Sequence, residues 1–369
     1  MMKYKSDWPE AQRRLTALWH GERLDRPCMA VRASQTVANP TWPWVPPPAD
    51  DEARWLDPAY RVACAIQNLE FTWWGGEAVP SCHQLAGWMN CLGGTPHFAP
   101  DTIWFETQAV DFSRPSPFRH KTDSPWTQKY RKLLLALCAA AGRHDFLVGT
   151  PAGLPANDLL SMLMGTQEFL FALVDQPAWM AEAILLGAQD QLRTSQEWQA
   201  LMRETGHDYW YGNAGWMAFW APEPYLSMQS DVSCMLSPEM FDRFVVPELD
   251  VYGQAHHAMW YHLDGGDAKQ HLPRLLSLPY MRVIQYVPAP FEPPNGPGHL
   301  AMYKQIKAAG RIVHIEVSAR NIEPLVRELD PALLMLDTWC ASRSEGEKLL
   351  EQCVTWAQNA PSNKKACHD

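Results

Sequence analysis

From residue 258 onward, apolar positions fall into two alternating patterns. Short, nearly continuous apolar runs read as strands buried on both faces: AMWYHL (258–263), MRVIQYV (281–287), RIVHIEV (311–317) and ALLMLD (332–337). Between them lie stretches with helical spacing: DAKQHLPRLLSL (267–278), HLAMYKQIKAAG (299–310) and NIEPLVREL (321–329). A last helix is expected over 344–358, where Ser344 and Glu347 have capping-box spacing. Just upstream, 237–257 predicts a helix with Ser237 as N-cap and Pro238 in the first turn, and Pro247 predicts a kink or break. Strand and helix at short intervals imply parallel strands joined by crossover helices.

The first half is less regular. CMAVRA (28–33), FLVGTP (146–151) and DYWYG (208–212) predict strands, and helices are expected at 9–20, 127–142, 158–173 and 178–200. Residues 35–60, rich in Pro and Trp, read as a loop or a cap. Five strands after residue 205 and at least two before it approach the eight of a (β/α)8 TIM barrel, with an open doubly wound sheet as the alternative. No G-x-G-x-x-G follows a strand, which removes the main signal for a dinucleotide fold.

Composition narrows the function classes. The chain has 369 residues, a net charge of −10 and 47% apolar residues. An acidic surface disfavours nucleic acid and anionic membranes as partners. No apolar run approaches the roughly 20 residues of a membrane span, and the N-terminus lacks a signal-peptide core. Nine scattered cysteines without a C-x-x-C pair suit reduced thiols and predict a cytoplasmic protein. Among 18 tryptophans, Trp73, Trp74, Trp88, Trp104, Trp210, Trp216 and Trp220 neighbour Gly, Pro and polar residues, so some are expected to line an aromatic pocket.

The chemistry collects where strands end. YHLDGG (261–266) places His262 and Asp264 two apart, on one side of a strand, beside two glycines. The other ends carry Thr150; Tyr211 and Asn213; Gln285 and Tyr286; His314, Glu316 and Ser318; and Asp337, Thr338 and Cys340. In a barrel these ends form the working rim. Each residue also has a plain structural role open to it: His262 bonded to a carbonyl, Asp264 or Asp337 capping a helix, Glu316 paired with Arg311 or Arg320, Cys340 an inert buried thiol. His, carboxylate and thiolate together are a donor set that Zn²⁺ accepts. Such an ion would acidify a thiol or water bound to it.

Three segments resemble the uroporphyrinogen decarboxylase-like superfamily, in its order and over roughly residues 130–358: TPAGLPANDLLSMLMGTQEFLFALVDQPAWMAEAI (150–184), SDVSCMLSPEMFDRFVVPEL (230–249) and YHLDGGDAKQHLPRLL (261–276). The resemblance implies one (β/α)8 barrel over 1–369, with residues 1–125 supplying an N-terminal cap and loops and 126–360 the barrel. It disfavours porphyrinogen decarboxylation, because the Arg-rich R-Q-A-G-R segment is replaced by LDRPCMAVRAS (24–34), which has only Arg26 and Arg32.

The pattern is similar instead to that family's zinc methyltransferases, which carry H-x-C and a second Cys near the last strand. His262 matches the His, Asp264 stands at the first Cys and Cys340 falls at the second. The resemblance implies a corrinoid-dependent methyltransferase moving a methyl group between a small thiol, ether or amine and a corrinoid carried by a partner protein. Zinc would sit on His262, Asp264 and Cys340, with Glu316 as a further ligand or catalytic group. Asp231, on the signature loop, would orient the site or touch substrate, and Gln285, Tyr211, Asn213, Trp216 and Asp337 would contact the substrate or the ligands. Asp in place of Cys makes a harder site. No D-x-H-x-x-G corrinoid motif is present. The alternatives are a carboxy-lyase in which Asp231 and His262 move protons, and a barrel that binds a ligand without catalysis.

Overall fold

The computed structural model describes residues 2–82, 91–142, 145–149, 154–207, 210–213, 217–358 and 360–361. Its strands are β1 (Cys28–Ser34), β2 (Thr72–Gly76), β3 (Ser81–Cys82), β4 (Pro96–Phe98), β5 (Ile103–Phe105), β6 (Leu147–Val148), β7 (Trp210–Asn213), β8 (Ala218–Ala221), β9 (Leu226–Met228), β10 (Met259–Asp264), β11 (Met281–Val287), β12 (Ile312–Glu316) and β13 (Leu334–Cys340). Seven of them form one sheet in the order β2-β1-β13-β12-β11-β10-β9. All its pairings are parallel except β1 with β2. The helices expected between β10 and β13 lie where the spacing placed them, so this half is a run of strand-helix units. β3 and β6 pair in parallel as a separate two-stranded sheet, and no closed barrel forms among the described residues.

The alternation of side chains divides the sheet into two faces. Tyr261, Leu263, Ile284, Tyr286, Val313, Ile315, Leu334 and Leu336 join the larger core, against the flanking helices. Trp260, Val283, Ile312, Met335, Cys28 and Ala30 point the other way, into a second core with helix Trp8–His20. Going toward the C-terminal ends, this second face turns polar. Trp260 is followed by His262 and Asp264, Val283 by Gln285, Ile312 by His314 and Glu316, and Met335 by Asp337. Register aligns these residues: His262 with Gln285, Gln285 with His314, and Glu316 with Asp337. One sheet face therefore has an apolar floor and a polar rim.

Several expectations are corrected. The run at 208–212 does not open the parallel series. Its described part, β7, pairs antiparallel with β8 as a hairpin. The strand beside β10 is instead β9, three residues in a stretch for which the spacing predicts no element. The helix expected at 158–173 is two helices, Ala156–Met164 and Thr166–Asp175, broken at Gly165 with φ +86°. Residues 51–70, within and beyond the proposed loop, form helices Asp51–Leu56 and Pro58–Glu70. The last helix begins at Arg343, and its N-cap is Ser342, whose hydroxyl accepts from Glu345 N. Around Pro247 the helix widens into a π turn at Phe241–Val245 before continuing over Val246–His256. Proline has no N–H to donate and its ring crowds the carbonyl four residues earlier, and the wide turn relieves both.

The first helix is tied to β1 through one buried carboxylate. Glu77, 1% exposed, accepts from Arg14 Nε at 2.8 Å, Arg26 Nη1 at 2.7 Å and Met29 N at 2.6 Å. Removing one partner of such a group costs about 3–5 kcal/mol, because the remaining charge stays buried.

Candidate metal centre

β10 ends at Asp264, and the turn that follows depends on glycine. Gly265 has φ +78°, a conformation that side chains with a Cβ rarely adopt. A Cβ on Gly266 would come within 3.1 Å of the Glu292 carboxylate. The chain after β11 can therefore fold closely over this turn. Glu292 holds it there: it pairs with Lys269 and accepts from Tyr286 Oη at 2.7 Å and Ala289 N at 2.9 Å. Burial works to raise its carboxyl, but these bonds outweigh burial and bring it down to about 2.

Asp231, His262 and Asp264 converge. Each offers a ligand atom, and the three atoms lie within 4.8 Å of one another; no other such group of His, Cys, Asp and Glu occurs among the described residues. The imidazole of His262 is buried, while both carboxylates are open to solvent. Gln285, fully buried, bonds His262 Nδ1 through Oε1 and gives its Nε2 to Tyr286 O at 3.2 Å. An amide oxygen only accepts, so Nδ1 carries the proton and the neutral ring bears its lone pair on Nε2. Burial depresses the His262 pKa, with Gln285 and Asp264 opposing, which favours that neutral form. A metal-binding histidine needs this tautomer and this kind of second hydrogen bond.

Asp231 is fixed from behind. Buried Asp158, in the first turn of helix Ala156–Met164, accepts from Asp231 N at 3.1 Å and Val232 N at 3.0 Å. Restricted solvation, then the charges of Asp158 and Asp264, raise the Asp231 carboxyl to about 8. Its surface still touches solvent, so screening tempers the charge effect. Three crowded carboxylates repel one another, and a cation among them would relieve the repulsion. One imidazole nitrogen and two carboxylate oxygens suit Zn²⁺, and equally Mn²⁺ or Fe²⁺.

Cys340 is not part of this group. It lies on β13, separated from β10 by β12 and β11, and its thiol joins the helix-facing core. Asp337 and Cys340 are three residues apart, so they point to opposite faces of the strand. Burial, with Glu345 nearby, raises its thiol. A thiol near the centre is Cys234, which burial and then Asp231, Asp267, Asp264 and Asp158 raise.

Asp337 is likewise not open to a substrate. It is 1% exposed, accepts from Arg32 Nη2 at 2.7 Å and meets His314 Nε2 at 3.0 Å. His314 Nδ1 accepts from the Trp260 indole at 3.0 Å, so its ring is neutral. Gln285 orients His262 and, with no exposed surface, does not reach a substrate. Arg26 and Arg32 are both committed to buried carboxylates, Glu77 and Asp337. Glu316 ends β12 with an exposed carboxylate and takes neither Arg311 nor Arg320 as an ion-pair partner. Tyr211 and Asn213 sit on β7, with side chains outside the described residues, as are Trp216, Trp88 and Thr150.

A cavity of about 660 Å³ lies beside the centre, between the chain after β11 and the ends of β12 and β13. Its wall includes Val287, the register partner of Asp264. Among the described residues Trp339 is its one tryptophan, while Trp74 and Trp220 are buried in the core and Trp104 stacks on His97. Of the tryptophans expected to line an aromatic pocket, Trp73, Trp74, Trp104 and Trp220 do not line this one, and the side chains of Trp88, Trp210 and Trp216 lie outside the described residues. Asp158 is the site residue not anticipated from the sequence; its signal was an acidic residue in the first turn of a helix, within the 150–184 segment that carries the family resemblance. No protein-family model matches the chain, and no curated protein matches it.

Proposed function

We propose that the chain is a divalent-metal enzyme that moves a methyl group between a small substrate and a corrinoid carried by a partner protein. The observation that supports it is the convergence of Asp231, His262 and Asp264 at the C-terminal end of a parallel strand. The architecture is read as a (β/α)8 barrel. The six parallel strands of the main sheet, with the parallel pair β3 and β6, supply eight. The donors would be His262 Nε2 and the carboxylates of Asp231 and Asp264, replacing the His262, Asp264 and Cys340 set expected from the resemblance. Zinc held there would supply positive charge to acidify an acceptor or polarise a leaving group. Gln285 holds the imidazole in its ligating tautomer, and Asp158 sets the position of Asp231. A donor set with two oxygens and no sulfur places less electron density on the ion than a thiolate site. That favours withdrawing electrons from a methyl donor over activating a soft thiol acceptor.

The test mixes methylcobalamin, as a stand-in for the corrinoid cofactor, with a small amine or thiol that accepts the methyl group and leaves cob(I)alamin, and follows the cobalamin absorbance with metal-loaded and chelator-stripped protein. Demethylation that needs the metal is the expected result. A second reading, a carboxy-lyase, is favoured by Asp231, whose carboxyl at about 8 keeps a proton to donate at neutral pH. Turnover of a carboxylic acid by stripped protein, with methylcobalamin untouched, would replace the first reading with the second.

A further inference from the structure

The cavity beside the metal centre has a charge that the centre does not use. Its volume of about 660 Å³ falls within the ~300–1,000 Å³ usual for small-ligand pockets. Pro288, Pro294 and Val317 form apolar walls, and Glu316 and Trp339 stand at its edge. The charges around it nearly cancel: Glu292 pairs with Lys269, and Arg32 pairs with Asp337. The neutral ring of His314 adds nothing. Glu316 remains, an exposed carboxylate with no ion pair or hydrogen bond among the described residues. One net negative charge therefore faces an otherwise apolar recess.

Two further features point to a ligand. Trp339 is 49% exposed, and the Arg32 guanidinium lies 5.3 Å from its ring centre. This indole already attracts a cation, and its exposed surface faces the recess. Thr338 is 1% exposed, lines the recess, and its hydroxyl has no hydrogen-bond partner among the described residues. A buried hydroxyl without a protein partner offers a hydrogen bond to a polar atom of a bound molecule.

A carboxylate, an indole face and proline walls recognise an ammonium group clad in methyls, which carries charge but offers few hydrogen bonds. We propose that this cavity binds a small methylated ammonium compound, with Glu316 opposite the charge, Trp339 against the methyls and Thr338 bonded to a polar end. Its role as the methyl donor rests on the function proposed above. The binding itself does not, because none of these three residues is a metal ligand.

The experiment is calorimetric titration of the purified chain with choline, and with 3,3-dimethylbutan-1-ol, the neutral compound of the same shape. Choline is expected to bind about tenfold or more tightly than its neutral counterpart, and Glu316→Gln and Trp339→Ala each to remove most of that difference. Both side chains are exposed at the rim, so neither variant disturbs the core. Equal binding of the two compounds, or no binding of choline, overturns the proposal. Metal content of the same samples is measured alongside. Metal without choline binding refutes this cavity alone, and choline binding without metal refutes the metal centre alone.

Discussion

His262 shows how a few side chains shape a candidate metal donor at the end of a buried strand. Burial keeps the ring neutral, and Gln285 points its protonated nitrogen away from the carboxylates. Replacing Gln285 with Leu removes that restraint without adding charge. Metal affinity is expected to fall about 10–100-fold with little loss of secondary structure, as measured by competition with a chromogenic chelator. The pairing of His262 with Asp264 was legible in the sequence because two residues apart on a strand means the same side. Cys340 was misplaced for the same geometric reason, since an odd offset from Asp337 sends it to the helix-facing core. Asp231 was legible as a member of the signature segment, but its place beside His262 and Asp264 was not. Its position beside β10 is held by a hydrogen bond that its own amide donates to Asp158, far away in sequence.

At the scale of elements, the site depends on two anchors outside the strand that carries it. Asp158→Ala would leave the amides of Asp231 and Val232 without their acceptor, costing about 1–3 kcal/mol of stability. Divalent-metal affinity should fall as well, since the loop bearing Asp231 loosens. Thermal unfolding together with metal titration separates the two effects; unchanged metal affinity would show that Asp231 needs no such support. The second anchor is Glu292, held at about 2 in the fold against an ordinary 4.5. A lowered carboxyl stabilises above the unfolded value, and that contribution is lost as pH falls from about 4.5 toward 2. Wild type should therefore lose more stability than Glu292→Gln over that interval, in urea titrations at pH 5 and pH 3. Long periodic elements such as β11 and the helix after it were readable from their spacing. β9 was not, because three residues show no period, and the β7–β8 hairpin was not, because each of its strands has only four residues.

Across the whole molecule, charge is arranged rather than merely acidic. Arginines that would meet an acidic substrate are bound to buried carboxylates, while the unbalanced acids gather at the strand ends. No helix among the described residues is long and apolar enough to cross a membrane. One sheet face runs from an apolar floor to a rim of His262, Asp264 and Glu316, so the same alternation builds both core and site. The metal centre requires that rim to hold an ion. The most direct measurement is divalent-metal content and affinity of the purified chain, compared with His262→Ala, Asp264→Asn and Cys340→Ser. About one ion per chain is expected, lost in the first two variants and unchanged in Cys340→Ser. A folded wild type that takes up no divalent ion, or a Cys340→Ser protein that loses it, would contradict the centre described here.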